Sequence, residues 1–199
     1  VLARSAGVGV ALALGAAVVP AHAVQPVVVA VDGTLCDLTK TLAAGAASVT
    51  CLIPPGGDPH SYRLKPSDRS QIAKSDLVLH IGFGLTPSAR KLKSPGTVVA
   101  VGEVALPSYG GSDPHVWHDP ANSAAMVRVI SRSLSPVLAA NDRAALQQRT
   151  ARAVAVFKAL QSWEAKQFGS LPSAQRVLVT DHRTYSHLAN RFGLVEIAM

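Results

Sequence analysis

Val27-Val28-Val29-Ala30-Val31, then Asp32-Gly33-Thr34, then after the twelve residues 35–46 Ala47-Ser48-Val49-Thr50-Cys51-Leu52-Ile53: this stretch decides the fold. The first run is β-branched without polar interruption, which suits a strand buried on both faces. Asp32-Gly33-Thr34 turns the chain, and Thr34 is the expected N-cap of a helix over about 35–44. Residues 47–53 read as a second strand. A β-α-β unit of this length predicts parallel pairing with a right-handed crossover. The first helix then starts at the carboxyl edge of the sheet, and the second strand ends there. Cys36 and Cys51 fall on one layer of that unit. A disulfide between them is expected, closing a loop that would contribute about 3 kcal/mol; two buried free thiols are the alternative.

Working outward, 77–81 and 97–101 read as a third and a fourth strand. His80 lies within the third and is expected to be a core or edge histidine. Ser67 or Asp68 is placed to cap a short helix through Lys74, and 102–112 read as a Gly-, Pro- and Ser-rich loop. A helix is predicted over 122–138, kinked or ended by Pro136. Asn141 or Asp142 then caps a helix over 143–168, about 26 residues or roughly 39 Å long. That length exceeds a small lobe and suits a strut between two. Beyond Gly169 and Pro172, 176–180 read as a fresh strand, followed by a helix through Arg191 with Gly193 as its C-cap, and by a strand start at 194–198. The expected class is α/β, with two parallel-sheet lobes joined by a long rigid helix and the second lobe incomplete. The expected division is 24–120 for the first lobe, 121–172 for the helical connector and 173–199 for the start of the second lobe.

Upstream, 1–23 carry one basic residue, Arg4, an apolar run from 7 to 19, and Ala21-His22-Ala23. These are the three regions of a cleaved secretory signal peptide, and the run is short for a membrane span. No Cys follows it, so a mature protein without a lipid anchor is expected. The chain of 199 residues is 48% hydrophobic, which is against disorder. Its net charge of +7 is scattered over residues such as Arg143, Arg149 and Lys158, without an aromatic-interleaved basic block. Nucleic-acid binding would need a clustered basic face, so it is not expected.

Chemistry concentrates in three loops. Asp113-Pro114-His115-Val116-Trp117-His118-Asp119-Pro120 places imidazoles in a turn stiffened by two prolines. The same opening occurs earlier as Asp58-Pro59-His60, and Asp181-His182 follows a strand. Loop-borne ligands at the carboxyl ends of parallel strands converge on a cleft even when far apart in sequence. Three neutral imidazoles suit zinc, copper, nickel or iron, and suit calcium or magnesium poorly. Asp113, Asp119 and Asp181 are candidates to orient the rings through the second nitrogen, or are simply turn-formers. His118 is read as a surface imidazole in preference to a spare or supporting ligand.

Pro54-Pro-Gly-Gly-Asp-Pro-His60-Ser-Tyr-Arg-Leu-Lys-Pro-Ser-Asp68, Asp113-Pro-His115-Val-Trp117 and Val179-Thr-Asp-His182 ahead of Arg191-Phe-Gly-Leu194 together resemble the metal-specific substrate-binding proteins of ABC importers, nearest the zinc-binding branch. The resemblance runs over nearly all of the mature chain, in the family's order. It implies His60, His115 and His182 as metal ligands, Zn²⁺ as the carried ion, an ABC transporter membrane permease as partner, a periplasmic location and a monomer without enzymatic activity. The manganese branch typically has a carboxylate at the third position, where His182 stands. The chain departs from the family in three places. Trp117 is followed by His118 instead of Leu. His187 replaces a Tyr. The chain reaches only the start of the second lobe, where the family's fourth, carboxylate ligand lies further on, and it is expected to be a fragment or a shortened frame. Two alternatives stay open: a manganese- or iron-binding homologue, and a secreted zinc hydrolase with a three-His site. Against the hydrolase, there is no His-Glu-x-x-His helix. A secreted adhesin on the same fold is a third reading that only the resemblance brings.

Overall fold

A strand with no polar side chains requires cover on both faces, and the chain supplies it in sequence order. A computed structural model describes residues 24–199; the expected signal peptide at 1–23 lies outside the described residues. Strand β1 (Val27–Ala30), helix α1 (Gly33–Ala43) and strand β2 (Ser48–Cys51) form the expected unit, with β1 and β2 parallel and Val27 opposite Ser48. Helix α2 (Pro66–Ile72) leads to β3 (Leu77–His80), which pairs with the other side of β1, and β4 (Thr97–Ala100) lies beyond it. The order is β2-β1-β3-β4, all parallel.

The predicted loop at 102–112 is helical at its start, as α3 (Val101–Ala105). Gly102 donates its N–H to the Ile81 carbonyl at 2.9 Å, and a Cβ there would stand 2.7 Å from that same oxygen. The close approach ends β4 and turns the chain straight into the helix. After a short 3-10 turn at Val116–His118 come α4 (Pro120–Leu134) and α5 (Asp142–Gly169). Helix α4 starts two residues earlier than expected, because Asp119 caps it and Pro120 fills its first position without needing a donor. Asn141 stands at the N-cap of α5 without a side-chain cap bond.

The pleat sorts the strands between two layers. Val28, Ala30, Leu77 and Leu79 pack with Leu35 and Leu42 of α1 and with Met126, Ile130 and Leu134 of α4. Val29, Val31 and Val78 pack on the opposite face with Leu52, Ile53 and Ile72. Cys36 and Cys51 form the expected disulfide, tying α1 to the end of β2.

Helix α5 has 28 residues, about 42 Å at 1.5 Å each. Its first half packs on α1 and α4, and its far half meets α6 (Ser186–Phe192), where Phe168 and Phe192 lie 5.4 Å apart. A second parallel pair, β5 (Val177–Thr180) and β6 (Val195–Ala198), flanks α6, and Gly193 ends α6 at φ 67° as its C-cap. Val177, Val179, Val195 and Ile197 of this pair are about half exposed. The structure is thus α/β with two parallel sheets bridged by one long helix. Among the described residues, no helix is long and apolar enough to cross a membrane.

The cap of α1 is Asp32, not Thr34: its Oδ1 accepts the Leu35 N–H at 3.0 Å, so the helix begins at Gly33. Asp32 is buried, and its Oδ2 has no partner among the described residues. Burial pushes its carboxyl from 3.8 up to about 6, against the hydrogen bond from Leu35. The native state therefore holds a proton that the unfolded chain releases. Stability from this group is complete below about pH 4 and is lost as pH rises through about 6. The expected loss is up to about 3 kcal/mol. Urea midpoints of wild type and Asp32→Asn between pH 4 and 7 check it: the difference between them should shift toward the variant as pH rises, and a constant difference would refute it.

Candidate metal centre

Each of the three histidines stands where backbone geometry leaves little choice. The segment 54–65 leaves the carboxyl end of β2 and is held at three points. The Tyr62 hydroxyl donates to Asp68 Oδ2 at 2.8 Å, with the Leu52 carbonyl also within reach at 3.0 Å. Asp68 also accepts the Lys65 N–H at 2.8 Å, and Ser88 donates to the Tyr62 carbonyl at 2.8 Å. Asp68 thus sits at the third position of α2, where it reaches back to the start of the helix; neither it nor Ser67 is the N-cap. Burial and the Asp68 carboxylate push the Tyr62 hydroxyl up to about 12, so it remains a donor. Within this frame Asp58 Oδ1 accepts the His60 N–H at 2.9 Å, closing an Asx turn that presents the ring.

His115 is buried, as is Asp113. Asp113 Oδ1 accepts both the His115 N–H at 2.9 Å and its Nδ1–H at 2.7 Å. The proton is thereby kept on Nδ1, and Nε2 keeps its lone pair. Burial works against the Asp113 charge, yet the bonds from His115 and from the Ser186 hydroxyl to Oδ2 hold its carboxyl down at about 2. His182 follows β5, and its Nδ1 lies 2.9 Å from Asp181 Oδ1 in an exposed pair. Its Nε2 lies 2.8 Å from the Thr184 hydroxyl, which has the His182 carbonyl as a second acceptor at 3.1 Å.

The three rings meet. His60 Nε2 and His115 Nε2 are 2.9 Å apart, and the centroids lie 4.9 Å (His60–His115), 5.3 Å (His115–His182) and 5.5 Å (His60–His182) from one another. One nitrogen from each lies within 4.8 Å of the other two. Desolvation, and then the neighbouring His115, hold the His60 pKa below the usual imidazole value, which favours the neutral ring.

Several expectations change on contact with the structure. Asp113 and Asp181 do orient imidazoles, but Asp119 does not. Its Oδ1 caps α4 through Ala121 N–H at 2.8 Å, and its Oδ2 takes Arg191 at 2.7 and 2.9 Å. His118 is half-buried, not a surface group: it packs against Tyr185 with ring centroids 4.1 Å apart, and desolvation, with repulsion from His115, pushes it down to about 4. His187 donates Nε2–H to the Asp113 carbonyl at 3.1 Å and packs on Tyr109 with ring centroids 4.7 Å apart. Sequence reasoning did not find Tyr62, Ser186 or Glu196. Glu196 Oε1 accepts the N–H groups of Thr184 and Tyr185 at 2.8 and 2.9 Å, fixing the loop that bears His182. A hydroxyl or carboxylate acting through a loop's backbone leaves no local signature in sequence.

Two parallel sheets bridged by a single long helix, with three imidazoles brought together between them, define a two-lobed α/β class. The chain belongs to the family described as ZnuA, zinc-uptake complex component A, periplasmic, whose model matches residues 28–199. It is 31% identical over 179 residues to the zinc-binding protein TroA of Treponema pallidum, covering 85% of this chain and 58% of that one. To the manganese-binding lipoprotein MntA of Halalkalibacterium halodurans it is 29% identical over 171 residues, covering 79% and 54%. The solved structure of the periplasmic zinc-binding protein TroA superposes with a TM-score of 0.81 at 28% identity, over 87% of this chain and 66% of that chain. The chain thus spans a little over half the length of the curated relatives it matches.

Proposed function

We propose that this chain is the ion-binding part of a periplasmic protein that captures Zn²⁺ and hands it to the membrane permease of an ABC importer, without carrying out a reaction. His60, His115 and His182 are its ligands. The convergence of one nitrogen from each ring to within 4.8 Å carries the reading. In a tetrahedral zinc site, ligand nitrogens at about 2.0–2.1 Å from the ion lie about 3.3 Å from each other. His60 and His115 need to part slightly and His182 to swing inward, and the exposure of the His60 and His182 side chains leaves room for both. Three imidazoles on a borderline-soft ion favour zinc over manganese. Disulfide pairing of Cys36 and Cys51 fits an oxidising compartment such as the periplasm. The proposed division is a first lobe over 24–120, a connector over 121–172 and the start of a second lobe from 173.

Calorimetric titration of the metal-free protein with Zn²⁺ tests this, with Mn²⁺ and Fe²⁺ as competitors. One ion per chain is expected, bound more weakly as pH falls through about 6.5, because protons compete for the imidazoles. His60 resists that competition further into acid than a free imidazole, given the direction of its shift. Tighter binding of Mn²⁺ than Zn²⁺ would defeat the metal assignment alone. Absence of binding by any of the three would defeat the site. Zinc-dependent ester hydrolysis would favour an enzyme instead.

A further inference from the structure

The orienting carboxylate of His115 is shared between the two lobes. Asp113 belongs to the loop before α4, is buried, and gives Oδ1 to the imidazole Nδ1–H. Its Oδ2 accepts the hydroxyl of Ser186, the first residue of α6. Ser186 lies four residues after His182, on the segment that carries the third histidine. Around it the same face is latched by His187 to the Asp113 carbonyl and by Arg191 to Asp119. These neighbours grip the backbone and the α4 cap. Of these three α6 residues, Ser186 is the one that reaches the carboxylate that sets the His115 ring.

We infer that Ser186 is a positioning residue for the metal site: its hydroxyl fixes the Asp113 carboxylate, and through it the tautomer and aim of His115, whenever α6 is docked. This deepens the proposed zinc-binding function and rests on it. A buried carboxylate oxygen without a donor seeks another partner. Without Ser186, Asp113 turns, and His115 loses the hold that keeps Nε2 toward His60. Docking of the second lobe thereby readies a ligand borne by the first, so the site is fully formed only in the docked arrangement.

The test uses Ser186→Ala, Ser186→Val and Ser186→Thr in the full chain, with Zn²⁺ affinity by chelator competition and the ligand-field absorption of Co²⁺-loaded protein. Supporting groups of metal ligands are worth about 10–100-fold in affinity. Ala and Val are expected to weaken Zn²⁺ by about that factor and to shift the Co²⁺ bands. Thr, which keeps the hydroxyl and matches Val in shape, should stay within about 3-fold of wild type. A purely structural role would lower unfolding temperature without moving the Co²⁺ bands, and would not separate Thr from Val. If His115→Ala abolishes binding while the Ala and Val variants bind as wild type, the inference is overturned and the metal site stands. If wild type itself binds no Zn²⁺, the metal site is wrong and the inference goes with it.

Discussion

His115→Ala is expected to weaken Zn²⁺ binding by roughly a thousandfold, the largest loss among the three histidines. Zinc sites with four protein ligands bind with about 10–16 kcal/mol, so one imidazole is worth about 3–4 kcal/mol, or 10²–10³ in affinity. His115 stands above the others because it is buried and preset by Asp113, whereas His60 and His182 are exposed. Its removal also strips the buried Asp113 Oδ1 of its side-chain donor, which costs the metal-free protein about 1–3 kcal/mol. His60→Ala should lose less affinity, roughly a hundredfold, and cost the metal-free protein at most about 1 kcal/mol, since its exposed ring meets a single buried group, His115 Nε2 at 2.9 Å. Chelator competition and thermal unfolding of both metal-free variants separate the two effects. A His115→Ala protein that binds Zn²⁺ like wild type would remove the ligand assignment.

Leu79→Ala should destabilise the fold by about 3–4 kcal/mol and lower the unfolding temperature by about 10 °C. Leu79 is fully buried on β3, between β1 and β4, against the layer that holds α1 and α4. Close packing on every side leaves the cavity unable to collapse, which puts the cost toward the upper part of the range for such truncations. Zinc at a hundred times its dissociation constant should return about 2.7 kcal/mol, because only the native state binds it. Denaturant unfolding with and without Zn²⁺ measures both numbers. A loss under about 1 kcal/mol would mean that β3 is not packed as described.

The two predictions act on different links. Leu79 lies in a layer whose composition was readable from the chain, because apolar runs at 27–31 and 77–81 have few alternatives to a buried parallel strand. The alternation of Val28 and Ala30 against Val29 and Val31 follows from the pleat alone. Helix ends were less legible. Thr34 and Asp32 both satisfy the cap rule, and the choice fell to Asp32 because its oxygen reaches Leu35 N–H in the conformation the strand imposes. Asp119 carried two readings, ring orienter and turn-former; cap geometry and a cation 72 residues away gave it to α4 and Arg191.

By itself the sequence determined the α/β class, the parallel order implied by β-α-β, the long bridging helix, and the three histidines that carry the candidate chemistry. All of these rest on local periodicity, on spacing or on motif resemblance, which the linear chain carries in full. Only the tertiary structure decided that one nitrogen of each ring lies within 4.8 Å of the other two, that Cys36 pairs with Cys51, that Asp113 and not Asp119 supports His115, that His118 packs against Tyr185, and that Ser186 closes on Asp113. Those facts depend on how one lobe sits on the other. Contacts made across 70 residues of chain are fixed by packing, and nothing in the local pattern encodes them.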